Sequence, residues 1–204
     1  MKKILTLMFC LVLTFSLVGC KTKTTENNPS NIIVNETDNN VFGNTVGSYQ
    51  DGVSDIYLCE LYLKVLEDLW NVDSSLNNEI TQIGIDLSEL SNLNEDQKDY
   101  VISKFAAKHN LPYITGTWEE LCEQGYIDKD NLYWEDGLFF SIKTNEDAIW
   151  NLPAIKEGDS VPELTAFDAH KWRSGLGAYF FGQCTAQKND DGTWSYTVGQ
   201  EMIA

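Results

Sequence analysis

The run 55–72 constrains the fold more than any other stretch of the chain. Ile56, Cys59, Leu63, Leu66 and Trp70 recur at helical spacing, and Leu58, Leu61, Tyr62, Val65 and Leu69 widen their stripe. A helix that is apolar over most of its circumference must be covered on several sides. The pattern therefore predicts a central helix that needs a second layer to pack on, with Ser54 as its N-cap.

The remaining sequence supplies that layer. Residues 80–87 are short, alternating and rich in β-branched side chains, as a strand requires. Asn94 and Gln97 read as a capping box that opens a helix through Val101 and Phe105 to Lys108, halted by Asn110 and Pro112. Thr117 and Glu120 read as a second box, starting a short helix that closes at Gly125. The period then changes to two. Leu138, Phe140 and Ile142 alternate with Phe139, Ser141 and Lys143 after an Asp136-Gly137 turn. Residues 163–173, 176–188 and 193–198 are further strands, separated by Ser174-Gly175 and Asp191-Gly192 turns. Helices first and strands last predict an α+β domain, with N-terminal helices packed on a C-terminal antiparallel meander. This order of elements resembles the cystatin-like and nuclear-transport-factor-like cone folds. Such folds carry unrelated functions, so the resemblance implies architecture only.

The N-terminus reads as an address. Lys2 and Lys3 precede an almost wholly apolar run from Ile4 to Val18. That run suits the apolar part of a signal peptide and is short for a membrane span of roughly 20 residues. It ends in Leu17-Val18-Gly19-Cys20, which resembles the lipobox of bacterial lipoproteins. The resemblance implies cleavage before Cys20, acylation of that cysteine, and a chain anchored by lipid at the extracytoplasmic face of the cell membrane. Residues 1–19 are then a signal peptide. Residues 20–52 are the lipidated cysteine and a tether: positions 21–52 hold seven asparagines and too few apolar residues to offset the entropy of ordering. Residues 53–204 are one domain.

Charge narrows the partners. Residues 1–19 contain two lysines and no acid, so the remainder holds 12 basic and 31 acidic residues, a net charge of −19. No basic surface is available for nucleic acid, which is excluded as a partner. Partners are instead the membrane, through the anchor, and a small ligand or an envelope protein. Cys59, Cys122 and Cys184 remain after processing; an exported chain could join two of them and leave one free, but all three sit among apolar neighbours, which favours reduced, buried thiols. No metal site or cofactor is expected. Asp128-x-Asp130 begins like a calcium loop, but Leu132 and Tyr133 occupy positions that need a ligand and a glycine. No phosphate loop, nucleophile elbow or zinc-helix motif is present. His109 lies where a helix C-terminus favours a cation.

His170 is placed by strand parity. With Ser174-Gly175 as an even-length turn, residues facing each other across the hairpin have numbers summing to 349. One face then carries Asp168, His170, Trp172, Tyr179, Phe181 and Gln183, and the next hairpin adds Trp194 and Tyr196. An apolar wall with a few polar groups is what a ligand pocket needs. Cys184 falls on the reverse, which forbids a Cys184–His170 nucleophile pair. The expectation is a surface-tethered, non-catalytic ligand-binding or protein-interaction module. The alternative is a small extracytoplasmic hydrolase or peptidase using the Asp168–His170 face. Catalytic residues, and whether the chain is an enzyme at all, stay open at this point.

If Cys20 is the acylated residue, Cys20→Ser should abolish metabolic labelling with a fatty acid and shift the protein out of the membrane fraction. Unchanged labelling would overturn the lipobox reading.

Overall fold

The computed structural model describes residues 55–151 and 162–204, except for the side chains of Trp150 and Asn151. The signal segment, Cys20, the tether and Ser54 lie outside the described residues.

Helix α1 (Ile56–Asn71) has Asp55 rather than Ser54 as its N-cap, with the Asp55 carboxylate accepting the Leu58 amide at 3.3 Å. Seven of its residues are buried, including Cys59, Tyr62, Leu66 and Leu69. Helices α2 (Glu95–His109) and α3 (Trp118–Glu123) are both opened by the capping boxes read in the sequence. His109 closes α2 with its ring stacked on Trp70 at 3.8 Å and Nε2 3.1 Å from a Glu67 oxygen.

Among the described residues, seven strands form one open, mixed, mostly antiparallel sheet, and the chain is α+β as its periodicity predicts. In chain order they are β1 (Gln82–Asp86), β2 (Tyr113–Thr115), β3 (Gly137–Thr144), β4 (Leu164–Ser174), β5 (Gly177–Lys188), β6 (Trp194–Thr197) and β7 (Gln200–Ile203). They lie in the order β2-β1-β3-β4-β5-β6, and β7 follows β6 along the same edge of β5. The strands from β3 onward pair antiparallel, forming the expected meander. Two features depart from it. Strands β2 and β7 are too short to leave a period in the sequence. β1 is parallel to both β2 and β3. The crossover from β1 to β2 carries α2, and that from β2 to β3 carries α3. They run in opposite directions across β1 and lie on opposite faces of the sheet, so both keep one handedness, as parallel crossovers require.

α1 and α2 cover one face, hereafter the helix face. Tyr62, Leu66, Phe105, Phe140, Phe167, Phe181 and Cys184 meet there in the main core. Buried Tyr62 exchanges hydrogen bonds with Asn92, which also donates to Thr165 on β4 at 2.9 Å. On the opposite face, over β1, β3 and the start of the β4–β5 hairpin, Leu121, Ile127, Trp134, Phe139, Trp172 and Ala178 form a smaller core. The Trp134 ring lies flat on Gly137, where a Cβ would stand 1.9 Å from it. Gly137 is therefore the first residue of β3, kept small by the indole, and not part of a turn.

Lys171 is the most unusual core residue. It is 0% exposed, on the helix face of β4. Its Nζ donates to the carbonyls of Trp70 (3.2 Å), Val72 (2.7 Å) and Asp73 (3.2 Å). The Trp70 and Val72 carbonyls belong to the end of α1, where backbone acceptors lack a helical partner and a positive charge is favoured, and the Asp73 carbonyl also accepts the Leu76 amide. Burial pushes the amine down to about 8, with Asp73 pulling the other way. Two residues on, Arg173 donates from Nη1 to the carbonyls of Leu76 and Asn78 and from Nη2 to Glu135.

Lys171→Met should destabilise the domain by about 1–2 kcal/mol. It keeps the stem but leaves the Val72 carbonyl without a donor, at about 1–3 kcal/mol for a group left unsatisfied, partly offset by removing a buried charge; the Trp70 and Asp73 carbonyls keep Asn77 and the Leu76 amide. Thermal unfolding should shift down by roughly 3–8 °C. An unchanged or higher melting temperature would show that the ammonium is not what fastens α1 to β4.

Candidate functional site

Three rows cross the second face of the sheet. Phe139, Trp172 and Ala178 stand side by side on β3, β4 and β5, in the smaller core. The next row is Ser141, His170, Phe180 and Met202, on β3, β4, β5 and β7. The third is Lys143, Asp168, Gly182 and Gln200, with Lys143 paired to Asp168 and Gly182 paired to Gln200. The face therefore grades from buried aromatics to charge within three residues of each strand. The second and third rows line a cavity of about 390 Å³, together with Asn145 and Gln183.

A β-bulge shapes its floor. Between the pairs Phe167–Cys184 and Ala169–Phe181, β4 supplies only Asp168 while β5 supplies Gly182 and Gln183. Gln183 takes a positive φ of 51°, uncommon for a residue with a side chain. Its amide turns to the Asp168 carboxylate, which accepts it at 2.8 Å and accepts Asn145 Nδ2 at 2.9 Å. Both bonds end on Oδ1, and among the described residues no hydrogen bond joins Asp168 to His170. The His170 ring stacks on Phe180 with centroids 4.0 Å apart and planes 12° from parallel. Its Nε2 is buried with no hydrogen-bond partner among the described residues. Burial, and then the charge of Lys143, push the imidazole down to about 4, so it is neutral at neutral pH.

The nominated site residues divide between the two faces. Asp168, His170 and Trp172 share the second face, and Gln183 reaches the same cavity from the bulge. Trp172, however, is buried against Trp118, their centroids 5.9 Å apart, and does not line it. Tyr179, Trp194 and Tyr196 pack on the main core, on the opposite face, and Phe181 is part of that core while also bordering the cavity. Tyr196 donates its hydroxyl to Asp68 of α1, and Tyr179 donates to Glu201. The cause is a one-residue change of register. The loop is Gly175-Leu176, between paired Ser174 and Gly177, and Arg173 bulges out of β4. His170 therefore faces Phe180 and not Tyr179, and the parity of β5 inverts. The second bulge shifts parity again, so Cys184 still points away from His170, into the main core.

Three thiols are free among the described residues. Cys59 and Cys184 are buried, with their thiols pushed by burial up to about 11 and about 12, which leaves them inert as nucleophiles. Cys122 is half-buried and not buried as expected. Among the described residues no cluster of three or more His, Cys, Asp or Glu side chains is arranged to hold a metal ion.

The sequence reading missed Ser141, Lys143, Phe180, Gly182, Gln200 and Met202. A signal for two of them existed. Ser141 and Lys143 break the apolar run of β3 on one parity, which places them opposite Phe140 and Ile142. The others depend on the register of β5 and on β7.

His170 sets a measurable acid response. Its folded pKa lies below the ordinary value near 6.5, so the unfolded chain takes up a proton first as pH falls. Its contribution to stability is complete above about 6.5 and is lost as pH falls from there toward about 4. The chain has two histidines, so imidazole NMR signals can be assigned with a His109→Gln variant. His170 should titrate near 4, and a midpoint near 6.5 would show a solvated ring.

No protein-family profile, curated protein or solved structure matches the chain.

Proposed function

We propose that the protein is a lipoprotein, held by acylated Cys20 at the extracytoplasmic face of the cell membrane, that acts as a non-catalytic module binding a small polar ligand. The observation that carries the binding role is a ligand-sized cavity on the second face, lined by Lys143, Asp168, Gln183 and the His170–Phe180 stack. An apolar wall with a few convergent polar groups is what a small-ligand site needs. The surrounding polar side chains, set on strands and braced by a bulge, form a rigid frame for recognition. The anchoring part rests on the Leu17-Val18-Gly19-Cys20 motif and the apolar run before it.

A hydrolase or peptidase on the Asp168–His170 face has less support. General-base chemistry by an imidazole needs an acid or carbonyl to orient it. Among the described residues no hydrogen bond joins Asp168 to His170, and Asp168 Oδ1 accepts from Gln183 and Asn145. An envelope protein is the other partner class, but an indented polar cavity suits a small molecule better than a protein surface does.

The test is a screen of small polar compounds read by the NMR signals of His170 and Phe180. At least one compound should move both saturably, and His170→Phe should abolish the response while the fold is retained. A broad panel that moves neither would overturn the reading.

A further inference from the structure

We infer that the cavity takes a small zwitterion bearing an apolar group, of which an α-amino acid is the simplest; this rests on the ligand-site reading above. Lys143 and Asp168 stand directly opposite each other on β3 and β4 and both line the cavity. Opposed residues of an antiparallel pair hold their Cβ atoms about 5 Å apart, close enough for a salt bridge. Among the described residues no ion pair joins them, because the Asp168 carboxylate is drawn to the Gln183 amide and Asn145. One cation and one anion thus flank the cavity without neutralising each other.

Charge selects the ligand class further. The chain carries a formal net charge of −17, so a bare anion is repelled as it approaches. A bare cation is attracted to the protein but meets the Lys143 ammonium at the site. A molecule with both charges, neutral overall, escapes both penalties: its anionic end faces Lys143 and its ammonium faces Asp168. The row behind offers the His170–Phe180 stack and Met202 as an apolar shelf, with Ser141 beside it. A volume of about 390 Å³ lies at the small end of ligand sites, which suits a molecule of amino-acid size and not a polymer.

The experiment follows the His170 and Phe180 signals of the full chain during titration with L-leucine, L-leucinamide, N-acetyl-L-leucine and sucrose. Leucine should bind saturably, with each singly charged relative weaker by roughly tenfold or more. Lys143→Met and Asp168→Asn should each weaken leucine by roughly tenfold. The carboxamide introduced by Asp168→Asn keeps an oxygen that can accept the Gln183 amide, so the bulge should survive in that variant. Blocked forms binding as tightly as leucine, or both variants binding leucine unchanged, would overturn the inference. Sucrose or a blocked form moving His170 while leucine does not would sink the zwitterion and leave the ligand site standing. Silence from all four compounds would also sink the zwitterion, and the broad panel would then decide the ligand site separately.

Discussion

Lys171 holds the two layers of this domain together. Its ammonium sits under the last turn of α1 and satisfies three carbonyls there, while its backbone lies in β4, between β3 and β5. A fully buried lysine is rare because desolvation opposes the charge. Here the charge is compensated by three carbonyls, of which the Val72 carbonyl has no other hydrogen-bond donor among the described residues. The arrangement fixes where α1 ends relative to the sheet, and Arg173 extends it by gripping the chain at Leu76, Asn78 and Glu135. The same strand therefore carries two cations toward the helix face, and Asp168 and His170 away from it.

The Arg173 grip has a consequence for the cavity. Arg173 bulges from β4 beside the hairpin, and that bulge sets the register in which His170 meets Phe180. A second bulge opposite Asp168 then restores the parity, so that Cys184 returns to the core. Between the two bulges the β5 side chains are inverted relative to a plain hairpin. Phe180 comes to the cavity side and stacks on the imidazole, while Phe181 goes to the core. The cavity thus depends on two local irregularities in otherwise regular strands, in keeping with the tendency of bulges to re-aim side chains near sites.

This explains which parts of the structure are legible in the sequence. The helix 55–72 and both capping boxes rest on local chemistry, and they appear where the spacing places them. The long strands rest on period-two patterning and also appear, within a residue or two. The register of β4 on β5 does not rest on local chemistry. Arg173 is drawn out by carbonyls almost a hundred residues earlier, and the left-handed Gln183 is marked only by the strand-interior Gly182 beside it. The face of Asp168 and His170 is therefore readable, whereas the partners of that face on β5 are not. A plain hairpin puts Tyr179 and Phe181 at the cavity, and a single residue of slip exchanges the two faces of the strand.

The use of positive charge connects core and site. Basic residues are scarce in this chain, and most of those described are committed to partners: Lys171 and Arg173 to backbone carbonyls, Lys64 to Asp68, Lys108 to Glu67, and Lys188 to Glu163 and Asp55. Lys143 differs. It lies opposite an aspartate, in a strongly acidic protein, and forms no ion pair among the described residues. The reason is geometric, since the bulge claims the carboxylate that would otherwise neutralise it. The irregularity that gives the cavity its floor therefore also leaves its wall charged, while burial, and then that neighbouring cation, keep the imidazole neutral. Backbone irregularity and unpaired charge thus arise from one cause, the diversion of Asp168 toward the Gln183 amide.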